Sequence, residues 1–151
     1  HVKYTGRRFS FAAKSLLASC LDHTALIGGY GISSVRPDNG EQEYTPFRHS
    51  TSWVNFTCGT KWKGHFFAGY TKNLGTADAL VSATKYGMGL DIDQVFSTNI
   101  AFSYNLPHWQ IGLEYMPTTA WYGDTDRASG KVVDTHSVTN HRVLGLVMYY
   151  F

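Results

Sequence analysis

Alternation of apolar and polar positions with a period of two is common along the chain, and β-branched and aromatic residues fill the apolar positions. The pattern is clearest at the end, where residues 140–151 put Val143, Gly145, Val147, Tyr149 and Phe151 on one side of an extended strand. Residues 109–121 set Trp109, Ile111, Leu113, Tyr115 and Trp121 against Gln110, Gly112, Glu114 and Thr118. Residues 95–104 set Phe96, Ile100, Phe102 and Tyr104 against Ser97, Asn99 and Ser103. Residues 64–73 and 52–62 predict two more strands, the second with Val54, Phe56, Cys58 and Trp62 opposite Asn55, Thr57 and Lys61. Residues 24–35 and 7–20 bring the set to about seven. The stretch from Phe9 to Leu21 also fits an amphipathic helix, but Ser10, Ser15 and Ser19 are weak helix formers and favour the strand.

The connections sort by length. Leu21-Asp22-His23, Thr60-Lys61-Trp62-Lys63 and Asn105-Leu106-Pro107-His108 are short turns; between them lie the polar segments 36–50, 73–93 and 122–139. Alternating short and long connections predict an all-β fold, an antiparallel up-and-down transmembrane β-barrel with short periplasmic turns and long outer loops. With the last strand ending in the periplasm, 7–20 should run inward from outside. An odd count starting outside then implies a strand upstream. His1-Val2-Lys3-Tyr4 is neither an initiator methionine nor a signal peptide. Residues 1–151 are therefore expected to be one unit, the C-terminal portion of a larger barrel. Trp62, Tyr104, Trp109, Tyr149 and Phe151 fall near short-turn ends, and Tyr30, Trp121 and Tyr122 near long-loop ends, as two interfacial belts would.

Composition narrows the classes. No stretch of about 18 apolar residues offers a membrane-spanning helix. Two cysteines do not make a disulfide scaffold, and a net charge of +2 gives no electrostatic case for nucleic acid. If the aromatic-rich sides face lipid, a water-filled lumen receives Arg8, Lys14, Asn55, Lys61, Asp93, Asn99, Gln110, Glu114 and Arg142, a slight excess of positive charge favouring anions. Lys14, Lys61 and Glu114 would each cost a few kcal/mol facing lipid at mid-membrane. Leu144, Leu146 and Met148 make the last strand apolar on both sides, as packing against an inserted loop or a neighbouring protomer would require.

Catalytic and cofactor chemistry finds little purchase. Asp124, Asp126, Asp134 and His136 lie in one long loop rather than converging from different strands, which suits solvation better than catalysis. Asp124 and Asp126 have oxygen-ligand spacing for calcium but no EF-hand continuation. The seven histidines show no zinc spacing. Gly28-Gly29-Tyr30-Gly31 leads into a strand, not the helix that a phosphate loop needs. Cys20 and Cys58 are expected near the same end, on strands separated by one other and roughly 10 Å apart, too far for a disulfide. The Asn55-Phe56-Thr57 sequon lies within a strand. The chain is thus expected to be no enzyme and to use no metal or cofactor.

The terminal segment from Arg142 to Phe151 resembles the C-terminal strand of bacterial outer-membrane proteins. That resemblance implies that Val143, Val147, Tyr149 and Phe151 form the signal read by the barrel-assembly machinery. Tyr30-Gly-Ile-Ser-Ser34, Gly69-Tyr-Thr-Lys-Asn-Leu-Gly75, Gly112-Leu-Glu-Tyr115 with Thr119-Ala-Trp-Tyr-Gly123, and Thr135-His136 to Arg142 are similar to large porin-type barrels of Bacteroidetes, including those like the DcaP-like trimeric porins. What this implies is a Gram-negative outer-membrane location, lipid as surroundings, a homotrimer, and transport of small polar solutes. The expected function is a porin-like channel for passive diffusion of small polar or anionic solutes. The alternatives are a small filled barrel with a structural or adhesive role through its loops, and a soluble lipocalin-like or sandwich protein.

Overall fold

The computed structural model, described here for residues 1–21 and 27–151, carries ten strands and no helix among those residues. They are β1 (Val2–Thr5), β2 (Phe9–Ser19), β3 (Gly28–Val35), β4 (Gln42–Pro46), β5 (Arg48–Gly59), β6 (Trp62–Gly75), β7 (Lys85–Met88), β8 (Ile92–Asn105), β9 (Trp109–Thr125) and β10 (Val132–Tyr149). Seven form an antiparallel wall in the order β1-β2-β5-β6-β8-β9-β10, and three form a smaller sheet in the order β4-β3-β7. The segment Phe9–Ser19 is a strand, not a helix.

The wall is open: β1 pairs only with β2 and β10 only with β9 among the described residues, so no closed barrel forms. Its seven members also differ from those expected. Residues 28–35 leave the wall for the small sheet, and β1 takes the seventh place. The glycines explain this. Gly29 and Gly87 oppose each other at φ 153° and 142°, and a Cβ on either would collide with the facing backbone.

Short turns gather at one end. The Gly6 amide donates to the Phe9 carbonyl, Gly59 to Arg8, Asn105 to Lys61 and Tyr150 to His108, stitching neighbouring turns into a rim. β2 therefore starts at the short-turn end and runs toward the loops, opposite to the direction expected. Of the expected turn at 21–23, Asp22 and His23 lie outside the described residues. The reversal also moves Cys20 away from Cys58. Phe9, opposite Cys58, opens β2, and Cys20 follows its last residue, which puts the two about 35 Å apart at about 3.3 Å per residue.

Long connections gather at the other end and fold into a cap. Thr76 donates to Ser129, Leu80 to Arg127, Val81 to Ile32 and Phe47 to Gly29. Phe47, Leu80 and Leu90 form its apolar core, with Ile32 and Val132 also buried. The expected loop 122–139 is mostly strand, because β9 and β10 continue as a paired hairpin out to Thr125 and Val132.

Cross-strand register divides the wall into two faces. Phe9–Cys58–Gly64–Phe102–Leu113–Gly145 and Phe11–Phe56–Phe66–Ile100–Tyr115–Val143 are unbroken rows on one face. Thr57–His65–Ala101–Glu114–Leu144 is a row on the other. The first face is apolar and uncovered: Phe102 is 64% exposed, Leu113 60% and Val143 68%. By alternation its charged side chains are Arg48 and Lys72, both at the loop ends of their strands.

Candidate functional site

The other face holds polar groups in the middle of an all-β wall, which calls for an explanation. Lys14, opposite Trp53, and Asn55, Asn99, Gln110, Glu114 and Arg142 all share it by register, so six of the expected lumen positions come together. Arg8 and Lys61 do not join them; they sit in the short turns, and the Lys61 Nζ lies 5.2 Å above the Tyr104 ring. Asp93 shares the parity of the polar face but is buried beneath the cap, bonded to Lys72 at 2.6 Å.

A cavity of about 400 Å³ opens on this face, lined by Asn55, His65, Asn99, Gln110 and Glu114 among others. The Arg142 guanidinium donates to the Glu114 carboxylate at 2.6 Å, and the Asn99 amide donates to the same group. His65 bridges the Thr57 and Ser103 hydroxyls across three strands. Gln110 accepts from the Tyr150 hydroxyl at 2.7 Å. Lys14 and Lys63 face the same side with no ion-pair partner among the described residues. With Arg142 neutralised by Glu114, the uncompensated charge is positive.

His65 and Lys63 are not among the lumen positions expected from the sequence, which put Lys63 in a short turn. Both have the phase opposite to Trp62 and Phe66, which alone would have placed them. Leu144 and Leu146 also line the cavity, so the last strand is apolar on both faces as the sequence indicated. No second element covers it among the described residues. Val143, Val147 and Tyr149 point to the apolar face, where Tyr149 packs on Trp109 at 4.8 Å and on Phe151 at 5.1 Å. Trp62 and Tyr104 make a similar pair at 4.5 Å.

The aspartates of the last hairpin stay apart. Asp126 holds its own turn, accepting from the Ser129 hydroxyl at 2.6 Å and the Ala128 amide at 3.2 Å, and these bonds keep its carboxyl below the usual range. A depressed folded pKa means that the turn's bonds persist at neutral pH and fail only as pH drops through that lowered value. The Ala128 and Ser129 amide resonances are expected to stay unchanged from neutral to mildly acid pH. A shift centred above the ordinary aspartate range would contradict this.

Comparison with protein-family profiles, with curated proteins and with solved structures returns no match to this chain.

Proposed function

We propose that this chain forms wall strands of an outer-membrane porin-type β-barrel, with lipid on the apolar face and a water-filled path for small polar or anionic solutes along the other. One observation carries the reading: a seven-stranded sheet whose apolar face, charged only at its loop end, is left uncovered, opposite a face of Lys, Asn, Gln, Glu and Arg. In water such a sheet leaves far more contiguous apolar surface than a monomer tolerates. In a bilayer that surface is the favoured one. Sorted connections and the aromatic pairs at the short-turn rim agree with this arrangement. From Trp109 to Trp121 the strand runs about 40 Å, which a tilt of about 40° reduces to about 30 Å, the thickness of a hydrocarbon core.

Unpaired strand edges are not tolerated in hydrocarbon, so the reading requires β1 and β10 to find partners that complete a barrel. Strand number then sets the bore. Entry through the barrel-assembly machinery and a trimeric state belong to the same proposal.

Planar-bilayer recording of the purified full chain tests it. Stepwise conductance with anion preference is expected, and Glu114→Gln should increase that preference by freeing Arg142, with little effect on stability because an exposed pair contributes about 0–1 kcal/mol. Release from membranes by salt wash alone would overturn the reading. Detergent-dependent extraction without conductance would favour the filled structural or adhesive barrel, which Leu144, Leu146 and Met148 on the polar face support.

A further inference from the structure

Where the cap meets the wall, a second cavity of about 390 Å³ lies between β6, the start of β8 and the first residues of β10. Its size falls within the roughly 300–1,000 Å³ of small-molecule sites. Gly75 makes the close approach possible: at φ 80° it lies directly beneath the Ser129 carbonyl and the Lys131 side chain, where a Cβ would not fit. The hairpin thereby reaches back over the wall to β6.

The lining carries both signs of charge in two tiers. The inner tier is satisfied: Lys72 donates to Asp93 Oδ2 at 2.6 Å, and Asp93 is 7% exposed. The outer tier faces solvent. Lys131 and Asp134 line the same cavity from exposed positions, and neither side chain has a hydrogen-bond or ion-pair partner among the described residues, so the two do not neutralise each other. Asp134 is held at φ 51°, a left-handed conformation that aspartate and asparagine tolerate better than most residues, at a register shift between Val133 and His136.

Asn73, 1% exposed, also lines the cavity. Its Oδ1 accepts from the Gly75 amide at 2.7 Å, while its Nδ2 is buried without an acceptor. An unsatisfied buried N–H costs roughly 1–3 kcal/mol and marks a place where an acceptor belongs.

We propose that this cavity binds a small zwitterion, an α-amino acid or a compound with the same spacing of carboxylate and ammonium. The carboxylate accepts from Lys131 and, once the side chain turns its buried Nδ2 into the cavity, from Asn73; the ammonium donates to Asp134 and to the Asp93 carboxylate. An anion alone would engage Lys131 and leave Asp134 to water, and a cation alone would do the reverse, so a ligand with both charges is the one that engages both groups at once. This deepens the channel reading by naming a solute class at the mouth of the path, but binding itself needs no conduction.

The test is calorimetric titration of the full chain in detergent with L-alanine, acetate and methylammonium at one ionic strength. Saturable one-to-one binding of alanine is expected, with acetate and methylammonium at least tenfold weaker. Lys131→Met and Asp134→Asn should each weaken alanine at least tenfold, and Asn at 134 retains the backbone conformation, which circular dichroism checks. Acetate as tight as alanine would make this an anion site, and methylammonium as tight a cation site; either overturns the proposal, as does alanine binding unchanged in both variants or absent from the parent chain. Alanine binding without conductance would leave this site standing and remove the channel, and conductance without alanine binding would do the reverse.

Discussion

Ile100→Arg is expected to destabilise the chain in lipid vesicles by about 2–4 kcal/mol, a loss of roughly thirty-fold to nearly a thousand-fold in the folded-to-unfolded ratio. Ile100 lies mid-strand between Phe66 and Tyr115 on the apolar face, where, on the proposed lipid-facing arrangement, the guanidinium would have no counter-charge and no water. Asn99→Lys, one residue away, is the control. Its side chain falls on the polar face beside Glu114, and an ammonium there keeps a donor for the carboxylate that Asn99 now serves. Urea titrations followed by tryptophan fluorescence should therefore separate adjacent positions by most of that energy. Equal effects at 99 and 100 would mean that the faces do not have different solvents. A soluble sandwich would instead fold without lipid, and bromine-labelled acyl chains would leave Trp62 and Trp109 unquenched.

That contrast was legible in the sequence because period-two alternation assigns a face to every residue once one strand is oriented. It placed Lys14, Asn55, Asn99, Gln110, Glu114 and Arg142 together from strands that are far apart in sequence, as the register shows. Alternation fails where both faces meet water. Residues 122–139 looked like a loop because Asp124, Asp134 and Thr135 give no apolar phase, yet the backbone pairing simply continues there.

Membership of the wall was also beyond the pattern. Residues 28–35 read as a strand beside the wall strands, and what removes them is the run of Gly28, Gly29 and Gly31, which fits the close approach of β7. Losing that strand reverses the direction of β2, carries Cys20 to the cap end and hands the seventh place to the four residues of β1. Barrel closure was a global inference from local signals, and the described strands leave both edges unpaired. The cavity of Lys72, Asp93, Lys131 and Asp134 was invisible for a related reason. Its charges come from β6, β8 and the end of a hairpin, and they meet only because Gly75 admits that hairpin.

Phe47→Ala is expected to open the cap while leaving the wall intact. Phe47 is wholly buried, and its main chain already bonds on both sides, its amide to Gly29 and its carbonyl from Cys20. Alanine keeps those bonds and removes only the ring, so the loss is that of a large core side chain, about 3–5 kcal/mol. The cap cannot absorb it. Its apolar core is Phe47, Leu80 and Leu90 with little else, and such small units sit at the low end of local stability. Trypsin should then cut at Lys85 and Arg127 at least a hundred-fold faster, since 3 kcal/mol is more than two decades in the opening equilibrium. Val81→Ala, at an exposed position of the same connection, should change little. The hairpin hangs on the same loop through Thr76–Ser129 and Leu80–Arg127, so alanine binding should fall with the Phe47 variant although no lining residue has changed. Cleavage rates equal to those of the parent chain would show that the cap is held by something other than this core.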